Sequence, residues 1–320
     1  MKRFLHLNLF LFLLLSTAIV SAHTPLDTGD GNNTPETALN IDDPTKSWTL
    51  YEELDEVDYY KIHLHMGEEL RVSLYVSIWG DEHFTPSVVV MGADIVGDYE
   101  PTFAHPEELG RVNVQGERPD HSEYEPFTPA SYYYVASYSH IASEDGDYYI
   151  AVYSDEHGGN YGMALGYRET FTLVEWLKIP IDLVGIHLWE DQPLLLLFGP
   201  PVTAMVLCLY FVIIKNPVQG ISMILGRLSG GLHISSGVMT LTQMIVYLVA
   251  AGFSGSALLT LFFAAVQLGL GLAGIRDSEK SWVTWIGLSI GGFLSWAGWI
   301  IGPVLALGAG IFQKINNETQ

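Results

Sequence analysis

Three long runs in the C-terminal part of the chain contain no Asp, Glu, Lys or Arg: residues 193–214, 237–275 and 281–313. Runs of 22, 39 and 33 uncharged residues leave few options, because about 20 apolar residues in a helix already cross the ~30 Å core of a bilayer. They predict an α-helical transmembrane bundle over 193–313, followed by a short tail, 314–320. The 39-residue run is too long for one crossing and must fold back, with the Gly-Ser-rich stretch 252–256 as the turn. The last run reads either as one long tilted helix or as two short ones broken at Gly302 and Pro303. Taking it as one gives about four spans. Lys215, Arg227, Arg276 and Lys280 then fall on the cytoplasmic side, as the positive-inside rule asks, and the C-terminus falls outside.

Within these spans Gln243, Gln267 and His233 are the only strongly polar candidates. Proton and ion pathways usually need ionisable groups inside the membrane, so a transporter or pump is disfavoured and an intramembrane aspartyl protease is excluded. Gly287 and Gly291 form a GxxxG that lets helix backbones approach closely. Residues 218–236, rich in Gly and Ser, read as a re-entrant or interfacial piece.

The rest of the chain is a different kind of body. Residues 1–22 carry Lys2 and Arg3, a short apolar run and then Ser21 and Ala22, the layout of a secretory signal. Cleavage after Ala22 would leave His23 as the new N-terminus. Between His23 and Gln192 there are 33 Asp and Glu against seven Lys and Arg. Such a surface repels nucleic acid and anionic head groups and attracts cations. The single cysteine, Cys208, lies in an apolar run, so the exported part has no disulfide and no thiolate metal site.

Residues 57–65 and 70–78 alternate apolar and polar side chains around a turn at Gly67 and Glu68, a β-hairpin. Further strands are expected at 85–91, 132–138, 147–153 and 161–167, with 92–129 as long loops. Alternation places Tyr60, Ile62 and Leu64 in the core and Tyr59, Lys61, His63 and His65 on the wet face. Regular strands with Gly turns imply an antiparallel sandwich over 23–170. Residues 171–192, apolar and divided by Pro180, read as an interfacial stalk.

The ordered combination NNTPETALNI, EVDYYKIHLHMGEELRVSLYV and EDGDYYIAVYSDEHGGNYGMALGY resembles the bacterial and archaeal pre-peptidase C-terminal (PPC) domain. That resemblance implies an all-β, jelly-roll-like sandwich serving as a non-catalytic accessory module in binding or secretion.

Candidate sites are few. His63 and His65 lie at i and i+2 on one strand face, a geometry that can ligate zinc or copper once a third ligand arrives. A mature N-terminal His23 offers an amine and an imidazole to copper. Asp27, Asp30 and Asn32 cluster near a glycine as calcium loops do, without the closing Glu of an EF-hand. No nucleophile elbow, HExxH or phosphate loop occurs, so no catalytic residue is assigned. The expectation is a multi-pass cell-membrane protein with its N-terminal domain outside the cell, in contact with the lipid bilayer and binding an extracellular protein, glycan or cation. The alternatives are an exported copper or zinc protein and an accessory subunit of a membrane complex.

Overall fold

The computed structural model describes residues 23–26, 29, 31–212, 220–276 and 280–318. The signal-like segment and Asp27 and Asp30 lie outside the described residues.

Among the described residues, eleven strands form two facing sheets. In chain order they are β1 (Thr24–Pro25), β2 (Leu39–Asn40), β3 (Trp48–Leu54), β4 (Val57–Leu64), β5 (Glu69–Ser77), β6 (Ser87–Gly92), β7 (Gly110–Val114), β8 (Glu123–Glu125), β9 (Ala130–Ile141), β10 (Gly146–Tyr153) and β11 (Gly159–Leu165). One sheet has the order β1-β3-β11-β5-β9-β8 and the other β2-β4-β10-β6-β7. Pairing is antiparallel except at β1 with β3 and β2 with β4, so both sheets are mixed rather than purely antiparallel.

Alternation does set the core. Tyr60, Ile62 and Leu64 meet Tyr148, Ile150 and Val152 of the neighbouring strand and Leu70, Val72 and Leu74 of the facing sheet, all essentially inaccessible to water. The opposite face of β4 is not uniformly wet. Tyr59 is buried beneath Phe103, and its hydroxyl donates to the Ala104 carbonyl at 2.6 Å. The expected long loops thus cover the outer face of the second sheet, and they also contribute β7 and β8. His63 and His65, further along β4, stay exposed.

Six α-helices follow among the described residues: α1 (Leu173–Trp189), α2 (Leu194–Tyr210), α3 (Ile221–Ala251), α4 (Ala257–Ile275), α5 (Trp282–Leu294) and α6 (Ile301–Glu318). Thr172 and Glu175 cap α1 reciprocally, and the helix runs through Pro180 without dividing there. The predicted turn after Ala251 is present, but α3 begins at Ile221, so residues expected to re-enter or lie at the interface form the first half of a continuous 31-residue helix. Arg227, expected in cytoplasmic solvent, is buried on it.

Among the described residues only α3 and α4 are long and apolar enough to cross a membrane. The expectation of about four spans is therefore corrected to two. The reason lies partly at residues 295–300, where Trp296, Gly298, Trp299 and Ile300 all take positive φ and end the helix. The last run yields helices of 13 and 18 residues folded back on each other, instead of one tilted span. Lys314 lies over the Trp282 ring at 5.5 Å, and Ser222 Oγ donates to the Ala309 carbonyl at 2.7 Å. The end of α6 thus sits beside the starts of α3 and α5, remote from the sandwich. The four-span layout had put it on the sandwich side.

Candidate functional site

The sandwich and the helices meet through the outer face of the six-stranded sheet. Where β3, β5 and β9 meet the helices, the alternate residues of that face are aromatic or hydroxylic: Thr49 and Tyr51, Tyr75 and Ser77, Tyr132 and Tyr134. Tyr75 stacks near Tyr132 at 4.7 Å between ring centroids, and its hydroxyl lies 2.5 Å from Thr49 Oγ1. Burial holds the hydroxyls of Tyr51, Tyr75, Tyr132 and Tyr134 well above the usual phenol range, so they act as neutral hydrogen-bonding groups.

Helix α1 lies against this face. Trp176, Ile179, Leu183 and Ile186 recur at spacings of three and four and form its inward stripe. Lys46 pairs with Glu175 at 2.6 Å at one end. At the other end Trp189 packs on Tyr51 at 5.0 Å and donates from Nε1 to the Glu52 carbonyl at 2.9 Å. Just beyond, the fully buried Glu190 carboxyl gathers three elements. Tyr247 Oη of α3 donates to Oε2, His187 Nδ1 lies 2.8 Å from the same oxygen, and Ser77 Oγ of β5 donates to Oε1 at 3.4 Å. Strand β8 docks on the start of α4, with Tyr124 Oη donating to Thr260 Oγ1 at 3.0 Å.

This junction encloses a chamber of about 290 Å³. Its walls are the tyrosines above, the stripe of α1, Phe127 and Trp296, the last of which stacks on Trp176 at 4.6 Å. A smaller cavity of about 50 Å³ adjoins it on the helix side and shares Phe127, Leu183 and Trp296 with the chamber. Its other walls mix polar Gln243, Thr240, Ser236 and Gln267 with apolar Pro180, Met239, Phe263 and Trp299. Glu125 lines the chamber and accepts from the Phe127 N–H at 3.2 Å. Burial pushes its carboxyl up to about 7, and Glu169 adds to the rise.

His23 also lines the chamber. Its Nδ1 lies 2.6 Å from Ser47 Oγ, and burial lowers its imidazole to about 4, which keeps it neutral. His63 and His65 lie on the other sheet. Their rings are 5.3 Å apart, with Asp147 2.8 Å from His63 and Asp145 3.5 Å from His65. The fold does not bring His23 to them. Among the described residues no three His, Cys, Asp or Glu are grouped to hold a metal ion. Asn32 uses its amide to reach the Tyr59 carbonyl at 3.3 Å.

Sequence reasoning pointed to histidines and missed the chamber. The available signal was the run SYYYVASY, aromatic on both faces of one strand. Such a strand has no wet side and implies a covered outer face.

No family model matches the chain, and no curated protein matches it in sequence. Among solved structures it is similar to the pre-peptidase C-terminal domain of a collagenase from Bacillus anthracis. Identity there is 16%, the TM-score is 0.25, and the match covers 42% of this chain and 99% of that one. It is also similar to Aeromonas hydrophila PliG, a periplasmic inhibitor of g-type lysozyme, at 12% identity and TM-score 0.23, over 46% of this chain and 96% of that one. At TM-scores this low neither neighbour lends this chain an activity.

Proposed function

We propose that the chain is a non-catalytic binding protein held at a cell membrane, with its acid-rich sandwich outside and its ligand site in the chamber beneath the sandwich. One observation carries this reading: the helices are apolar outward and polar inward. Leu195, Val249 and Phe253 are each more than four-fifths exposed, and Val202, Val206, Leu272, Ile290 and Ile311 are exposed beside them. His233, Ser235, Ser236, Gln243, Thr260 and Gln267 are buried within the helical body. Water disfavours that arrangement and lipid favours it. The helix ends remote from the sandwich carry Arg276, Lys280 and Lys314, which suits a cytoplasmic face. Helices α2, α5 and α6 are short for a full crossing and suit packing around α3 and α4.

An impermeant thiol reagent tests the arrangement in a Cys208→Ser background. Cysteine at Glu82, on the exposed sandwich surface, is expected to label on intact cells. Cysteine at Lys314 is expected to label only after permeabilisation, and the reverse pattern refutes the orientation.

The copper or zinc reading now rests on the adjacent His63–His65 pair, with His23 standing apart. Metal analysis of purified protein before and after chelation tests it, and one retained metal per chain that His63→Ala removes would establish it.

A further inference from the structure

Nine buried side-chain polar atoms among the described residues lack a hydrogen-bond partner, and three of them belong to residues lining the two adjoining cavities: Tyr132 Oη, Trp296 Nε1 and Gln243 Nε2. Tyr132 and Gln243 are 3% and 1% exposed. Leaving such a group unpaired costs about 1–3 kcal/mol, so three around one space point to something that satisfies them. The indole N–H and the amide NH₂ can only donate. Any group that reaches them must therefore accept.

The remaining walls narrow the choice. The chamber is mostly apolar, and its volume is near the lower end of the ~300–1,000 Å³ typical of small-molecule sites. No Lys or Arg lines either cavity, while Glu125 and Asp182 do, and the lining His187 is already paired with Glu190, so the walls offer an anion no free positive charge. Asp182 already has Lys178 at 3.7 Å. Glu125, held partly protonated at neutral pH by its burial, makes no firm demand for a cation.

We propose that the adjoining cavities bind an uncharged amphiphile taken from the bilayer, an apolar chain or ring system bearing ester, ether or ketone oxygens. The apolar portion lies against Tyr51, Trp176, Ile179 and Leu183, and the oxygens face Trp296 Nε1 and Gln243 Nε2. This inference deepens the membrane-binding reading above and rests on it.

Tryptophan quenching of the full chain in an uncharged detergent tests it, because Trp176 and Trp296 report contact with brominated chains. The probes are the glycerol monoester of dibromostearic acid, dibromostearate at pH 9, and the corresponding dibromoalkyl trimethylammonium. Saturable quenching is expected with the glycerol ester, at concentrations about tenfold below either charged probe, a difference of about 1.4 kcal/mol. Leu183→Phe and Ile179→Phe fill the chamber and should weaken that quenching about tenfold. Gln243→Leu removes a donor without adding bulk and should weaken it several-fold, which keeps the test decisive if either larger side chain prevents folding. Equal affinity for a charged probe, or quenching that no variant alters, overturns the proposal.

Mass spectrometry of an organic extract of protein from native membranes separates the sources. A glycerol ester or ether and a prenyl ketone are the two expected forms, and an acidic or cationic lipid in their place overturns the assignment. Outward labelling of Glu82→Cys without saturable quenching would remove the ligand while leaving the membrane orientation standing.

Discussion

Asp94 shows how one side chain can fix a loop. It sits just after β6 and accepts from Tyr148 Oη and the Ser143 N–H, both at 2.6 Å, with His140 Nε2 at 3.0 Å. Burial alone would raise its carboxyl, but these hydrogen bonds outweigh burial and hold it well below the usual range. The folded state therefore favours the ionised form, a contribution present above the unfolded pKa near 4 and lost as pH falls below it. Asp94→Asn is expected to lower stability at pH 7 by about 2 kcal/mol, with the deficit shrinking below pH 4 in denaturant titrations. Glu125 has the opposite sign. Its folded pKa of about 7 exceeds the unfolded value, so between about pH 4.5 and 7 the folded state keeps a proton that the unfolded state has released, and stability falls as pH rises. Glu125→Gln should flatten that slope and stabilise the protein at pH 8 by about 1–3 kcal/mol in the same titration. Neither carboxyl was singled out in the sequence, because each owes its environment to groups remote in the chain.

At the scale of elements, the strands were the most legible part. Six of them fall within a few residues of the expected stretches, the β4–β5 hairpin through its two-residue alternation and the others through β-branched or aromatic runs between turn residues. β3 was missed, as its outward residues Tyr51 and Glu53 and its inward Leu50 and Leu54 follow a lead-in dense in turn formers. Helix packing was less legible. The predicted GxxxG is not where backbones meet: an added Cβ at Gly287 would have open space, whereas one at Gly230 would come within 2.8 Å of the Gly271 carbonyl. Small residues mark close approach only when a partner helix faces them, and the sequence does not state which does. The tip between α5 and α6 is a second such place. Gly298 has φ +70°, and a Cβ there would meet His233 Cδ2 at 2.7 Å. Gly298→Ala is expected to cost about 2 kcal/mol or more, through both backbone strain and overpacking, while Gly287→Ala changes stability by less than about 0.5 kcal/mol. Melting temperatures of the two variants in one detergent provide the comparison.

For the whole molecule, the decisive feature is that sandwich and helices share a junction rather than a tether. A stalk would let the sandwich move freely. Instead α1 lies along the sheet, Lys46 pairs with Glu175, and Glu190 joins β5, α1 and α3. Glu190→Ala leaves the donors of Tyr247 and Ser77 unpaired in the dry junction and should destabilise it by at least about 2 kcal/mol. Limited proteolysis is the readout: cleavage in the 166–172 connection is expected to accelerate in the variant, and an unchanged rate would show that the junction does not depend on this carboxyl.

The amino-acid sequence by itself determined the two-part character of the chain, the sandwich and its main core faces, and the fold-back after Ala251. These follow from local periodicity and from the free energy of placing charge in water or oil, and both are properties of short stretches. Tertiary structure alone decided that residues 295–300 break the last run, that the tyrosine face of one sheet is covered, and that His23 lies on a different sheet from His63 and His65. Each of those depends on which surfaces meet. Burial, orphaned donors and the chamber itself are created by contacts between segments more than a hundred residues apart.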